Sequence, residues 1–482
     1  MIVYITGHGF VYELENIARL FAREVSVEQS APPENMSGDC AYLWRTVNCE
    51  AAELGCSVVY GGLRSEKREA VSGKATDREC ELMLSTMLFD TMRDMTGFCP
   101  PWGIITGIRP AKFAGAMLCE QSAQEVESKL ESTYRVSEKK AELCVQTAIN
   151  GEKIACLNTE KSYSLYVSIP FCPSKCSYCT FVSKSVEREK HLVQPYLDKL
   201  CIELEQSADI AKTLGLKLES VYIGGGTPTV LSARQLKTLT DTISRCFPLE
   251  QAREYSVEAG RPDTITEQKL SVLKAAGVTR ISINPQTSNE RVLEAIGRKH
   301  TDSEIETSFE LARRTGFDNI NADLIAGLPC DDIESFKRSM QWLLGLHPEN
   351  ITVHALTLKR ASKMTKNHDG ASGDASEMVD YAYDKLTENG YSPYYMYKQK
   401  GTVDALENTG YARPGFECLY NVYIMDELHT IIACGAGAVT KLYNQKKGLI
   451  NRIFNYKYPK EYIDGFDVIL ERRKGITDFY EI

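Results

Sequence analysis

The sequence has no hydrophobic run long enough to cross a bilayer, so we expect no membrane span in its 482 residues. Its opening stretch, MIVYITGHGFVYELENIARL, is too polar for a signal peptide. We therefore expect a cytoplasmic protein whose thiols stay reduced. The 16 cysteines are accordingly not expected to form a disulfide framework.

Positive charges are outnumbered by negative ones. The chain has 56 Lys and Arg against 65 Asp and Glu, a net charge of −9 and a pI near 5.5. This balance argues against a dedicated nucleic-acid binder, although it leaves room for a local basic pocket. The length allows two or three domains.

Three regions differ in pattern. Residues 1–155 are mixed and predict an N-terminal α+β domain of unknown role. The stretch SGKATD at 72–77 lacks the upstream glycine of a phosphate loop and is rejected as one. Residues 160–360 alternate regularly between strand and helix. Residues 361–482 form a C-terminal region that begins with a polar segment at 361–378, which predicts a linker.

The middle region predicts six strands separated by helices. The runs are YSLYVSI (163–169), LESVYIGG (218–225), EYSVEA (254–259), RISINP (280–285), NINADLIAGL (319–328) and NITVHAL (350–356). Repeated βα units predict a parallel sheet. Six strands are too few for an eight-stranded barrel, which leaves a partial barrel or a doubly wound sheet. In either fold, ligands bind at the carboxyl ends of the strands.

Three cysteines follow the first of these strands in FCPSKCSYCTF, at Cys172, Cys176 and Cys179. A structural zinc site needs four ligands, and the next cysteine, Cys201, lies in a helical pattern. Cys176 and Cys179 alone could form a redox dithiol. The pattern favours an iron–sulfur cluster. Three thiolates on a four-iron cube would leave one iron open for a substrate or cofactor.

The motifs YVSIPFCPSKCSYCTF, VYIGGGTPT, RISINPQT and NADLIAGLP resemble the radical S-adenosylmethionine enzymes, and more closely the oxygen-independent coproporphyrinogen III oxidase (dehydrogenase) family. With ENTGYARPGFECLYN and the long N-terminal region, they resemble the branch that carries an N-terminal extension. The resemblance implies an α/β fold: a partial parallel (β/α)6 barrel at 160–360, an N-terminal α+β domain, and a C-terminal α/β extension that covers the substrate.

The resemblance also implies the site residues. A [4Fe–4S] cluster would be held by Cys172, Cys176 and Cys179. S-adenosylmethionine would be contacted by Tyr166, Gly225, Gly226, Thr227 and Glu258. Oxidase-type members can hold a second S-adenosylmethionine, whose matching positions are Tyr178, Gln286, Arg298 and Asp323. Each assignment has a structural alternative: the glycine run as a simple turn, Glu258 as a surface carboxylate, Arg298 as a solvated helix end, and Asp323 as a buried acceptor.

The implied reaction is oxidative decarboxylation. A 5′-deoxyadenosyl radical would take a hydrogen atom from a propionate of coproporphyrinogen III, and loss of carbon dioxide would leave a vinyl group. Two such events give protoporphyrinogen IX. The partners are the porphyrinogen, a low-potential electron donor and an electron acceptor, the last two unidentified. The propionates call for nearby cations, and the candidates are Lys175, Arg261, Lys359, Arg360 and Arg413.

Two positions depart from the oxidase pattern. Phe181 stands where the well-known oxidases have a further cysteine, and Ser168 where they have a histidine. Phe181 instead matches the related haem chaperones, which keep the cluster but transfer haem. Their haem-ligating histidine is replaced here by Tyr420, in CLYNVYIMD, and they lack the long N-terminal domain. We expect the dehydrogenase, with a haem chaperone or another radical enzyme as alternatives.

Overall fold

The computed structural model describes residues 1–481 except 35, 37, 48–50, 182, 358–373, 400, 401, 403 and 404. The chain divides into two compact units. The first comprises Met1–Val145 with two short stretches between Lys398 and Leu406, and the second comprises the remainder.

The strands run β1 Ile2–Thr6, β2 Ser26–Glu28, β3 Cys40–Val47, β4 Ala51–Tyr60, β5 Leu63–Ser72, β6 Ser162–Ile169, β7 Phe171–Cys172, β8 Lys184–Ser185, β9 Lys217–Gly225, β10 Glu254–Glu258, β11 Arg280–Ser282, β12 Ile320–Ala326, β13 Asn350–Ala355, β14 Ser392–Lys398, β15 Glu407–Ala412, β16 Thr430–Cys434, β17 Val439–Asn444 and β18 Leu449–Phe454.

The helices run α1 Val11–Ala18, α2 Asp77–Thr96, α3 Pro110–Leu118, α4 Ala123–Ser132, α5 Glu138–Ala155, α6 Val186–Thr213, α7 Ala233–Cys246, α8 Glu267–Ala275, α9 Glu290–Ala295, α10 Asp302–Arg314, α11 Ile333–Gly345, α12 Ala375–Glu388, α13 Leu419–Asp426, α14 Pro459–Asp464 and α15 Phe466–Glu481. None of the helices in the described ranges is long and apolar enough to cross a membrane.

The first unit is built on a five-stranded sheet in the order β2-β1-β3-β4-β5. Strand β1 pairs in parallel with β2 and β3, and β3, β4 and β5 form an antiparallel meander. Helix α2 packs its apolar face on this sheet. It begins at a capping box in which Thr76 and Glu79 satisfy each other's backbone N–H groups, and it ends at Gly97, which has a left-handed conformation.

The second unit is built on an eleven-stranded sheet in the order β14-β15-β13-β12-β11-β10-β9-β6-β16-β17-β18. The six predicted strands form its centre. They lie side by side in chain order, β6, β9, β10, β11, β12 and β13, and every neighbouring pair is parallel. In a doubly wound sheet the order of the strands reverses at one point, although the strands stay parallel. The sequential strand order seen here therefore identifies the partial barrel. A helix or pair of helices, α6 to α11, connects each strand to the next.

The helices of this barrel turn one apolar face to the sheet. In α7 the buried apolar residues are spaced three or four apart, at Leu236, Leu239 and Ile243. The helix begins at a capping box between Ser232 and Gln235. The strands, in contrast, alternate apolar residues toward the helices with polar residues toward the barrel interior. The result is a barrel with an apolar outer core and a polar interior.

The C-terminal region contributes strands to the same sheet as the barrel. Its strands extend the sheet at both edges: β15 pairs antiparallel with β13, and β16 pairs in parallel with β6. This pairing satisfies the backbone N–H and C=O groups that the first and last barrel strands would leave open. Most of the predicted linker at 361–378 lies outside the described residues, but its end is wrong, because Ala375 begins α12 and Met378 is buried.

Candidate functional site

The three cysteines lie in the loop that follows β6. Strand β7, which contains Cys172, pairs with β8, and the N–H of Cys179 donates to the carbonyl of Cys176 at 3.2 Å. Cys176 is buried, and the other two thiols are half-buried. Among the described residues, no three His, Cys, Asp or Glu side chains are grouped as ligands of one metal ion. The thiolates that bind a four-iron cluster lie further apart than the ligands of a single ion, since each thiolate binds a different iron.

The surroundings of the thiols fit such a cluster. Burial raises the pKa of the Cys179 thiol, and the charges of Cys176 and Cys172 raise it further, whereas Lys175 lowers it. Donors also point at the sulfurs. Thr227 Oγ1 lies 3.5 Å from Cys172 Sγ, and Arg261 Nη1 lies 3.9 Å from Cys176 Sγ. Donors of this kind stabilise cluster thiolates.

The glycine run at the end of β9 packs against the cysteine loop. Gly225 has φ +108°, and a Cβ there would lie 3.1 Å from Ser168 Oγ. A Cβ on Gly226 would lie 2.5 Å from the carbonyl oxygen of Phe171. Contacts within the protein are therefore enough to explain why glycine is required at these two positions. The N–H groups of Gly226 and Thr227 donate to the carbonyls of Ile169 and Phe171, both at 2.8 Å, and so are already engaged.

A cavity of about 420 Å³ opens inside the barrel, within the size range of small-molecule sites. Its wall combines aromatic, acidic and basic side chains. They include Tyr166, Phe181, Tyr222, Glu258, Arg280, Ser282, Asn284, Asn321, Asp323, Thr352, His354, Tyr395, Tyr397, Tyr420 and Lys441. Three predicted residues, Tyr166, Glu258 and Asp323, therefore share one cavity.

Three tyrosines stack along one side of the cavity. The rings of Tyr222 and Tyr420 are 4.5 Å apart at 22°, and those of Tyr166 and Tyr420 are 6.0 Å apart at 15°. Tyr222 and Tyr420 were not assigned to the cofactor site by sequence. Burial raises the pKa of Tyr420 well above its ordinary value, so its phenol stays protonated.

Glu258 ends β10 at the cavity wall. Tyr222 donates its phenolic hydrogen to Glu258 Oε1 at 2.7 Å. Burial raises the pKa of the carboxyl to about 7, the charge of Asp323 adds to the rise, and the hydrogen bonds from Tyr222 and the Gly225 N–H oppose it. The interpretation of Glu258 as a surface carboxylate is wrong, because the carboxyl faces the cavity.

Asp323 forms a second polar group with His354, a residue that the sequence analysis missed. Asn321 Nδ2 donates to Asp323 Oδ1 at 2.8 Å, and His354 Nε2 lies 3.7 Å from Asp323 Oδ2. His354 Nδ1 lies 3.2 Å from Asn408 Oδ1 and donates to it. The hydrogen bond from His354 lowers the pKa of Asp323 against the effect of burial, and Asp323 raises the pKa of His354.

The other predicted residues of a second cofactor site are not among the residues that line the cavity, and two of them, Tyr178 and Arg298, lie at the cysteine loop. Arg298 Nη1 donates to the carbonyl of Asn284 at 2.6 Å, and Nη2 donates to the Tyr178 hydroxyl at 3.3 Å. Arg298 is buried, so the interpretation as a solvated helix end is wrong. Gln286 has φ +72° and bridges to β12, its N–H donating to the carbonyl of Asp323 at 2.9 Å.

The predicted cations lie mostly elsewhere. Arg261 is paired with Asp263 beside the cysteines, Arg413 stacks on Tyr391, and Lys175 is exposed. Residues 359 and 360, the remaining two candidates, lie outside the described residues. The cavity instead contains Arg280, which the sequence analysis did not single out.

Comparison with known proteins agrees with this architecture. The Radical SAM superfamily matches residues 166–343. The oxygen-independent coproporphyrinogen-III oxidase-like protein HemZ of Bacillus subtilis (strain 168) is 36% identical over 467 residues, which cover 94% of this chain and 93% of that protein. The heme chaperone HemW of the same organism is 34% identical over 329 residues, which cover 66% of this chain and 79% of the chaperone.

A solved structure shares the fold. The coproporphyrinogen III oxidase (HemN) of Escherichia coli, a radical SAM enzyme, superposes with a TM-score of 0.52 at 24% identity, over 66% of this chain and 72% of that one. The partial barrel with its cysteine loop thus defines a radical SAM protein, a class that uses a [4Fe–4S] cluster and S-adenosylmethionine. Within that class, the chain belongs to the family of oxygen-independent coproporphyrinogen III oxidases and oxidase-like proteins, in the branch with an N-terminal extension.

Proposed function

We propose that this protein decarboxylates two propionate side chains of coproporphyrinogen III to vinyl groups and so produces protoporphyrinogen IX. For each propionate, one hydrogen atom, one electron and carbon dioxide leave, and a carbon–carbon double bond forms. Family membership supports this proposal, as do the cavity inside the barrel and the cationic and aromatic side chains on its wall.

In this proposal Cys172, Cys176 and Cys179 hold the cluster. The cluster and S-adenosylmethionine supply the 5′-deoxyadenosyl radical that removes the hydrogen atom. The chain itself contributes by binding the cofactor and the substrate and by orienting them toward each other. Tyr166 and Glu258 would contact S-adenosylmethionine, with the Glu258 carboxylate accepting hydrogen bonds from the ribose hydroxyls. The stacked tyrosines exclude water around the reacting carbon.

The observation that carries the choice of enzyme over haem chaperone is the position of Tyr420. A phenol ligates haem iron as the phenolate. Here the ring is only 5% exposed, stacks on Tyr222 at 4.5 Å, and has a pKa raised by burial. Forming the phenolate in this stack is unfavourable, so Tyr420 is a poor replacement for a ligating histidine.

The two departures from the oxidase pattern, Ser168 and Phe181, do not create a haem site. Ser168 is buried and donates its hydroxyl to the carbonyl of Ala436 at 2.9 Å, so it serves the packing of β6. Phe181 is 62% exposed and reaches the cavity wall from the cysteine loop. Neither side chain offers a metal ligand.

Two measurements on the same anaerobic sample test the proposal. Reduced, reconstituted protein with S-adenosylmethionine should convert coproporphyrinogen III to the monovinyl and then the divinyl product. Haem titration should show no tight one-to-one complex. A sharp one-to-one change in the Soret band with sub-micromolar affinity, lost in Tyr420→Phe, together with no turnover, would establish the carrier instead.

A further inference from the structure

Arg280 is the first residue of β11, and its side chain enters the barrel interior and lines the cavity. It is only 2% exposed, which makes it one of the largest fully buried side chains described. Within the part of the chain that the structure describes, its Nε has no hydrogen-bond partner, and its guanidinium forms no ion pair. A guanidinium cannot neutralise itself by losing a proton at physiological pH. A charge buried in this way is costly unless something pairs with it.

The acidic residues around Arg280 are each engaged by other groups. Glu254 accepts from the N–H of Leu419 at 2.7 Å and from the thiol of Cys418 at 3.4 Å. Glu258 accepts from Tyr222 at 2.7 Å. Asp323, on the same cavity wall, accepts from Asn321 Nδ2 at 2.8 Å. None of these three carboxylates forms an ion pair with Arg280 in the described structure, so the guanidinium is left for a ligand.

Other polar atoms beside Arg280 also lack partners among the described residues. Ser256 lies opposite Arg280 in the pairing of β10 with β11, and its buried Oγ has no partner. The buried Oδ1 of Asn284, on the same cavity wall, has none. Buried polar groups are normally satisfied, and the two exceptions on the cavity wall, at Arg280 and Asn284, point to a bound polar molecule.

We propose that Arg280 binds a carboxylate of the substrate, so that a propionate of the porphyrinogen enters the barrel and pairs with its guanidinium. The inference rests on the proposed function for the identity of the ligand. Arginine suits this role because its planar fork matches a carboxylate with two parallel hydrogen bonds.

The same chemistry could come from the methionyl carboxylate of S-adenosylmethionine, and strand register argues against that source. Arg280 is level with Ser256, which is level with Tyr222 and, through it, with Tyr166. The cysteines come only after β6 has ended at Ile169. A carboxylate bound to the open iron would lie at the cysteine end, whereas Arg280 lies deeper in the barrel.

The test is binding of coproporphyrinogen III, measured by anaerobic calorimetry without S-adenosylmethionine so that no turnover takes place. Arg280→Gln should weaken binding by about 30-fold or more, the usual cost of removing one partner of a buried charge pair. Arg280→Lys should weaken it less, because the charge remains. The control is Arg234→Gln, an exposed arginine on α7 away from the cavity.

A change in the ligand makes the test independent of mutational damage. The tetra-amide of coproporphyrinogen III keeps the ring and removes the negative charge. It should bind wild type more weakly than the acid does, and Arg280→Gln should reduce that difference between acid and amide. Equal affinity of wild type and Arg280→Gln for the acid would overturn the proposal, and so would equal affinity of wild type for acid and amide.

A second measurement distinguishes a substrate propionate from the carboxylate of S-adenosylmethionine. It also tests the Arg280 site separately from the proposed function. Reductive cleavage of S-adenosylmethionine without porphyrinogen should be preserved in Arg280→Gln. Its loss, with circular dichroism and iron content unchanged, would assign Arg280 to the cofactor and contradict the inference. If wild type binds coproporphyrinogen III through Arg280 but forms no vinyl product, the proposed function fails while the carboxylate site stands.

Discussion

Replacing Glu258 with Gln tests the cofactor site through a single titrating group. The carboxyl has a pKa of about 7 because burial disfavours its charged form. In the proposed site it accepts hydrogen bonds from ribose hydroxyls, which favour the charged form. Binding should therefore strengthen as the pH rises through 7, and Gln, which does not titrate, should remove this dependence.

The size of the effect follows from the two forms of the carboxyl. At one pH unit below its pKa only about a tenth of the carboxyl is ionised. Hydrogen bonds to a charged acceptor are about 1 kcal/mol stronger than those to a neutral one. We expect the affinity of wild type to rise about 3.5-fold between pH 6 and pH 8.

The ligand for this measurement is 5′-deoxyadenosine, which carries the ribose and has no ionising group in that pH range. Equilibrium dialysis under anaerobic conditions gives the dissociation constants. A flat profile for wild type would refute the reasoning, and so would the same slope in Glu258→Gln. Either result would mean that Glu258 does not contact the ribose in its charged form.

Three further predictions concern the cluster, the C-terminal helix and the glycine run. Cys176→Ala should lose the iron and sulfide of an anaerobically reconstituted sample, whereas Cys201→Ala should keep them; equal iron in both would show that the ligands are wrongly assigned. Arg473→Met should lower the free energy of unfolding in urea by about 3–5 kcal/mol. This arginine, 1% exposed, lies 2.6 Å from the buried carboxylate of Glu203, and a loss under about 1 kcal/mol would mean the charge is satisfied elsewhere. Gly225→Ala should lower the thermal midpoint even without cofactor, because its φ of +108° and the 3.1 Å approach to Ser168 strain any side chain; an unchanged midpoint would leave cofactor contact as the reason for glycine.

The barrel could be predicted from the sequence because its signals are local. The βα alternation identified all six central strands, and their sequential order confirms the partial barrel rather than the doubly wound sheet. Strand β11 is shorter than its run, since the chain leaves the ladder before Pro285 and turns at Gln286 with φ +72°. The C-terminal strands could not be placed, because which edge of a sheet a strand joins depends on pairing far away in the sequence.

The site was predictable where residue type alone indicates chemistry. Three clustered cysteines and a glycine run are visible in any pattern. Arg280 and His354 were missed because their role depends on which way a strand side chain points. That direction is set by register with neighbouring strands. The alternation in RISIN, with Arg, Ser and Asn at every second position, was the available signal for a polar wall.

The central claim is that the chain directs hydrogen-atom abstraction to a propionate. The most direct measurement uses coproporphyrinogen III deuterated on the propionate carbon next to the ring, incubated anaerobically with reduced protein and S-adenosylmethionine. The proposed function predicts deuterium in the released 5′-deoxyadenosine and vinyl groups in the porphyrinogen. Cleavage of S-adenosylmethionine that yields only unlabelled 5′-deoxyadenosine and unchanged porphyrinogen would contradict it.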